Sequence, residues 1–200
     1  MRTETKLATV PLSLTLIRLV LTPIFSILYL YYEALGLSIK QLPYLLIALV
    51  AISELSDLFD GILARRHNQV TALGKLLDPM ADSIFRLSVF FTMTQGLIGL
   101  PLPLVLIFFV RDSLISTLRT LCALKGVALA ARLSGKVKAV VQALAAMLIL
   151  ALMIPYSLDL LSLDSLREVS LYTVIAAALY TLFSGMEYIW ANRLFIRSAL

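Results

Sequence analysis

The sequence predicts an all-α integral membrane protein of six transmembrane helices, with both termini in the cytoplasm. Three observations carry this. The 200 residues are 60% hydrophobic and only 14% charged, with a mean hydropathy of +0.96; soluble domains run at roughly 45–50% apolar and about 25% charged. The apolar residues form continuous runs, without the alternation of transmembrane β-strands. At ~20 residues per span the length holds six helices with short connections and no separate soluble domain. Lys and Arg are also unevenly distributed. Of the 17, 12 fall on one side of the spans and 2 (Lys40 and Arg167) on the other, while Arg18, Arg86 and Arg111 lie within spans. By the positive-inside rule the rich side is cytoplasmic. Residues 1–200 are therefore expected to form one multi-pass domain of the inner membrane, with an interfacial lead-in at 1–10.

Each span has its own signature. The first runs from about Pro11 to Tyr32 and contains Arg18. Its apolar run is too long for a signal-peptide core, and no small-residue cleavage site follows. The second, from about Leu42 to Leu63, carries Glu54, Asp57 and Asp60. Arg65, Arg66, His67, Asn68 and Gln69 fill a polar loop, and the third span runs from about Gly74 to Leu97 with Asp78 and Asp82 near its start. Gly96, Gly99, Pro101 and Pro103 predict a tight turn. The fourth span, about Leu102 to Leu124, holds Arg111, Asp112 and Arg119. A basic connection with Lys125, Arg132, Lys136 and Lys138 leads to the fifth, about Val137 to Tyr156. Asp159, Asp164, Arg167 and Glu168 are read as a loop before the sixth span, about Val169 to Trp190. The single cysteine, Cys122, excludes an intrachain disulfide. The net charge of +5 sits in the connections between spans, which accounts for it without nucleic acid.

The stretch from Asp57 to Asp82 holds four aspartates out of 12 acidic residues in the chain. Carboxylates at the edge of hydrocarbon are costly, by a few kcal/mol on insertion scales, and these four would repel one another. On helices, Asp57 and Asp60 share one face and Asp78 and Asp82 another. The short connection makes the two spans antiparallel neighbours whose acidic faces can meet just inside the cytoplasmic boundary. Oxygen ligands of this kind suit Mg²⁺ or Mn²⁺, and four carboxylates can hold two ions that neutralise a diphosphate. The competing reading is interfacial acids paired with Arg65, Arg66 and Lys75. Gly61, Ala64 and Gly74 flank the acids where a close approach by backbone or ligand needs small residues; plain helix packing would also explain them.

The pattern Asp57-x2-Asp60-Gly61-x2-Ala64-Arg65-x8-Gly74-x3-Asp78-x3-Asp82 resembles the signature of the CDP-alcohol phosphotransferase family at every fixed position. The resemblance implies six transmembrane helices and a metal-dependent transfer of a phosphatidyl or similar group from a CDP-linked donor to an alcohol, with release of CMP. It implies Asp57, Asp60 and Asp78 as metal ligands, and Asp82 as the base for the acceptor hydroxyl and a further metal contact. Asp57, Asp60, Gly61, Ala64, Arg65 and Gly74 would serve the nucleotide, and the protein would be a homodimer.

Arg111 through Arg119, with Gly135, Lys136, Lys138 and Gln142, resembles the matching stretch of the bacterial phosphatidylglycerophosphate synthases of that family. So does Pro11 through Leu19. The implied substrates are CDP-diacylglycerol and glycerol 3-phosphate. Cations near the acids suit a phosphorylated acceptor, since Arg binds phosphate in a bidentate fork; Arg111, Arg119, Lys136, Lys138 and Arg86 are the candidates. Anchoring of span ends against anionic lipid is the plainer explanation for Lys125 and Arg132. A mid-span Arg111 needs a partner, either Asp112 or Glu187. Glu54 stands one turn before Asp57 and is read as a support for the acids or a partner of Arg18. Three positions depart from the synthase pattern: Leu12 for asparagine, Asp112 for glutamate, and Ser83 for the lysine after Asp82. Arg86, one turn beyond Asp82, is expected to replace that lysine's charge. Inositol 1-phosphate is the competing acceptor, and a cation transporter using the same acids is the competing class.

Overall fold

The computed structural model describes residues 9–67, 72–124, 132–193 and 195–196, with the side chains of 9–16, 57–79 and 123 outside the description. The described residues are all α-helical apart from turns: α1 (Thr9–Tyr31), α2 (Leu42–His67), α3 (Ala72–Thr92), α4 (Leu102–Leu124), α5 (Leu133–Ser157) and α6 (Leu163–Ala191). Two of them, α5 and α6, are long and apolar enough to cross a membrane; Ile17–Tyr31 and Leu42–Ser56 are shorter apolar helical stretches. In α4 every 18-residue window takes in Arg111, Asp112 and Arg119, so its charges set it apart from α5 and α6.

Several boundaries differ from the sequence reading, each for a local reason. Helix α2 continues through Arg65, Arg66 and His67, since nothing in that run breaks a helix. Helix α6 starts at Leu163, one and a half turns earlier than hydropathy suggests. Ser162 caps it, its hydroxyl oxygen accepting from the Ser165 N–H at 3.1 Å, and Asp164 occupies the first turn. There a carboxylate meets the positive end of the helix dipole. Asp164, Arg167 and Glu168 are thus helical, and the Arg167 Nε–H donates to the Leu97 carbonyl at 3.0 Å. Helix α5 likewise starts at Leu133, which carries Lys136 and Lys138 out of the connection and onto a helix. The predicted tight turn is present. Gly96 and Gly99 have φ of 65° and 64°, values that L side chains rarely adopt.

The chain divides into two compact units. The first comprises α1, α2, α3 and the end of α5 from Leu150. Here α1 packs on both α2 and α3. Phe25 stacks on Tyr29 (centroids 6.4 Å apart, planes 3° apart) and meets the Phe85 edge at 6.5 Å and 76°. Such a ring pair contributes about 0.5–1.5 kcal/mol beyond area burial. The Ser26 and Thr92 hydroxyls lie 2.7 Å apart and satisfy one another.

The second unit comprises the 93–101 turn, α4, α5 to Ile149 and α6, with α4 packed on α6. Along α6 the buried stripe is Leu166, Ser170, Val174, Ala177, Ala178, Thr181, Ser184, Gly185 and Tyr188, mostly small or polar beyond Leu166. Its exposed face carries Leu179, Leu182, Phe183, Met186, Ile189 and Trp190. Small and polar residues face inward while large apolar ones face out, the reverse of a water-soluble helix. That arrangement fits lipid as the solvent, where close approach by small residues and hydrogen bonds, rather than hydrophobicity, hold helices together.

Candidate active site

The acidic residues lie on two helices of the first unit: Asp57 and Asp60 on α2, Asp78 and Asp82 on α3. The side chains of Asp57, Asp60, Gly61, Ala64, Arg65, Gly74 and Asp78 lie outside the described residues, so their geometry plays no part here. The Asp82 side chain is described. One turn further along α3, Arg86 donates through Nη2 to Asp82 Oδ2. Its other terminal nitrogen, Nη1, reaches Glu54 Oε1 on α2 at 3.5 Å. Arg86 is buried, so the bridge is partly desolvated. It ties α2 to α3 one turn from Asp57 and at Asp82 itself. Arg86 is therefore held between two carboxylates, and Glu54 is one of its partners.

The cations read from sequence as acceptor contacts lie on α4 and α5 of the second unit. Lys138 Nζ is 2.7 Å from both carboxylate oxygens of Asp112. Arg111 Nη1 donates to Asp112 Oδ1 at 3.0 Å and Nη2 to Ser184 Oγ at 2.7 Å. The three charged side chains are only 5% (Lys138), 8% (Asp112) and 11% (Arg111) exposed. Two cations thus converge on one buried carboxylate. The Arg111 Nε–H, also buried, has no hydrogen-bond partner among the described residues. Arg119 donates from Nε to the Tyr188 hydroxyl at 3.1 Å and lies with Cζ 5.2 Å from that ring's centroid. Lys136 is exposed. Of the two partners proposed for Arg111, Asp112 is present. Glu187 instead pairs with Arg132 at 2.6 Å and accepts from Ser134 Oγ at 2.6 Å. Arg132 is thus tied into the helices and does more than face lipid headgroups.

What sequence reasoning missed lies on α6, which matched the family pattern only as a hydrophobic span. Ser184 and Tyr188 contact Arg111 and Arg119 respectively, while Glu187, named from sequence as a partner for Arg111, pairs with Arg132. Thr181 joins them by accepting from Gln142 Nε2 at 3.3 Å. A signal was present: Thr181, Ser184, Gly185 and Tyr188 recur at helical spacing within an otherwise bulky apolar helix.

The described helices, with small and polar residues buried and large apolar ones exposed on α6, fit a helical membrane protein. Residues 8–183 match the model of the CDP-alcohol phosphatidyltransferase family, and the chain belongs to that family. Membership carries a phosphatidyl-transfer activity of lipid biosynthesis. The chain is 30% identical to CDP-diacylglycerol–glycerol-3-phosphate 3-phosphatidyltransferase of Bacillus subtilis over 188 residues, 91% of this chain and 94% of the relative. It is 30% identical over 177 residues to a protein of Mycobacterium tuberculosis named "Probable phosphatidylglycerophosphate synthase", covering 88% and 78% of the two chains. A shorter match, 38% over 110 residues, covers 55% of this chain and 49% of a cardiolipin synthase (CMP-forming) of Streptomyces coelicolor.

Proposed function

We propose that the protein transfers the phosphatidyl group of CDP-diacylglycerol to glycerol 3-phosphate, giving phosphatidylglycerophosphate and CMP. The observation that carries this choice of acceptor is the buried Arg111–Asp112–Lys138 cluster, where two cations converge on one carboxylate and the Arg111 Nε–H has no hydrogen-bond partner among the described residues. Guanidinium N–H groups bind phosphate oxygens through charge-assisted hydrogen bonds, and an acceptor with its own phosphate offers such oxygens to Arg111 and Arg119. Two relatives covered over most of their length are named for this product or acceptor. Arg111, Arg119, Lys136 and Lys138 are the acceptor-phosphate contacts in this reading.

In the reaction, Asp82 accepts the proton of the acceptor hydroxyl. The freed oxygen bonds to the phosphorus that carries diacylglycerol, the bond from that phosphorus to the bridging oxygen breaks, and CMP leaves with the electron pair. The donor set fits Mg²⁺ or Mn²⁺: oxygen-only acids at i,i+3 on α2 and i,i+4 on α3. Asp57, Asp60, Asp78 and Asp82 would hold two ions, which neutralise the diphosphate when bound. Asp57, Asp60, Gly61, Ala64, Arg65 and Gly74 would serve the nucleotide. The whole chain acts as one domain in this reading, a homodimer in the inner membrane with six spans, cytoplasmic termini and a cytoplasmic site.

An acceptor panel tests the proposal. Purified protein with CDP-diacylglycerol and Mg²⁺ should release CMP fastest with glycerol 3-phosphate. Inositol 1-phosphate, serine, inositol and phosphatidylglycerol are the comparators, scored by product lipid. Preference for phosphatidylglycerol, which carries no phosphomonoester for the cations, would overturn the acceptor assignment. CMP release with no acceptor specificity, or metal flux into liposomes without turnover, would overturn the reaction.

A further inference from the structure

Two of the cations assigned to the acceptor, Arg111 and Arg119, are each held by a residue of α6. Arg111 is gripped from two sides. Its Nη1 is fixed by Asp112, its own helix neighbour, and its Nη2 by the Ser184 hydroxyl across the helix interface. Its aliphatic stem lies against Gly185: a Cβ there would stand 3.0 Å from Arg111 Cγ, so tight that the arginine stem would have to give by a few tenths of an ångström. Gly135 on α5 leaves room at the other end, where a Cβ would stand 3.6 Å from Nη2. The guanidinium is thereby turned so that Nε–H is buried and still unused among the described residues.

Arg119 is held in a different way to the same effect. The Tyr188 hydroxyl accepts its Nε–H, and the Tyr188 ring lies beneath its charge. Its two terminal nitrogens, the fork that grips a phosphate, donate to no described residue. Tyr188 is itself pinned. It is buried, and its carbonyl accepts from both the backbone N–H (3.2 Å) and side-chain Nδ2 (2.8 Å) of Asn192, which caps α6. Ser184, Gly185 and Tyr188 lie on one face at i, i+1 and i+4, just beyond residue 183, where the family match ends. A stripe that served packing alone would need small residues, but not two hydroxyls placed on two guanidiniums.

We propose that Ser184, Gly185 and Tyr188 are positioning residues that aim Arg111 and Arg119 and so set the affinity for the phosphate-bearing acceptor. The proposal rests on the reading of those arginines as acceptor-phosphate contacts. On it, α6 tunes acceptor recognition while touching neither the acids nor the reacting atoms.

The test is steady-state kinetics of the full-length protein with glycerol 3-phosphate and CDP-diacylglycerol varied separately. Ser184→Ala and Tyr188→Phe are near-isosteric and each remove one hydroxyl. Each is expected to raise the acceptor KM about tenfold, the order of one charge-assisted hydrogen bond, with kcat and the donor KM within about twofold. Ser184→Thr should restore the acceptor KM, and Gly185→Ala should raise it by displacing Arg111. Arg111→Met and Arg119→Met are measured alongside. If those two raise the acceptor KM while Ser184→Ala and Tyr188→Phe do not, the positioning proposal fails and the acceptor reading stands. If the arginine variants leave the acceptor KM unchanged, both fall. Equal losses in kcat and both KM values would mark α6 as merely structural and overturn the proposal.

Discussion

Arg86 offers the sharpest test of how the acidic helices are held. Replacing it with methionine keeps most of its length and removes its charge. In the folded protein Arg86 Nη1 lies 3.5 Å from Glu54, and Nη2 bonds Asp82. Unit charges at that separation interact by roughly 5 kcal/mol at an effective dielectric near 20. The three side chains are 9%, 31% and 21% exposed (Arg86, Glu54, Asp82), so solvent screens part of this. Removing one partner of a buried ion pair costs about 3–5 kcal/mol, and the exposure of the two acids points to the lower end, ~3 kcal/mol. The loss leaves Glu54 and Asp82 without that cation between them. Arg86→Met should therefore lower the thermal midpoint in detergent markedly and reduce CMP release. Adding Glu54→Gln should cost little more, because the Arg86–Glu54 bridge is already lost. A double-mutant cycle should return a coupling of about 2–3 kcal/mol. Additive effects, or an Arg86→Met protein as stable and active as wild type, would refute the bridge. A rise in the acceptor KM alone would instead place Arg86 among the acceptor contacts, as the sequence reading had it.

Four further outcomes are expected. Asp82→Asn should cut CMP release by at least about a hundredfold, the usual scale for a lost general base; chelation of divalent ions should abolish activity, with recovery on adding Mg²⁺ or Mn²⁺, and turnover surviving chelation would exclude the metal. Asp112→Asn should destabilise the second unit by ~3 kcal/mol, since Lys138 and Arg111 lose their shared carboxylate; thermal unfolding measures it, and an unchanged midpoint would refute the shared bridge. Cys122 is buried, so single cysteines at Lys40 and Lys136 can be labelled against little background; impermeant maleimide on right-side-out cells should reach Lys40→Cys and spare Lys136→Cys, and the opposite pattern would invert the proposed orientation.

How much was legible in the sequence follows from the range of each interaction. Helical class, the turn at Gly96 and Gly99 and the family itself depend on local composition or on fixed gaps along one stretch, and one chain read in order displays both. Helix ends were less legible because they depend on capping. Ser162 draws α6 forward through Asp164, Arg167 and Glu168, which hydropathy reads as loop. Lys138 was read as a basic residue of the connection and a candidate acceptor contact; its place on α5, which starts at Leu133, makes it a buried partner of Asp112.

Partnerships between distant residues came only from tertiary structure. Glu54 and Arg86 are far apart in the chain, and Arg111 and Ser184, or Arg119 and Tyr188, farther still. No periodicity couples such positions, because helix packing sets which faces meet, and a polar side chain in an apolar environment must find its partner wherever packing brings one. The sequence by itself determined a helical, apolar chain with an acid motif that names its family. The folded chain decided which carboxylate holds which cation, and that α6, which read as a plain hydrophobic span, is where Arg111, Arg119 and Arg132 find their partners.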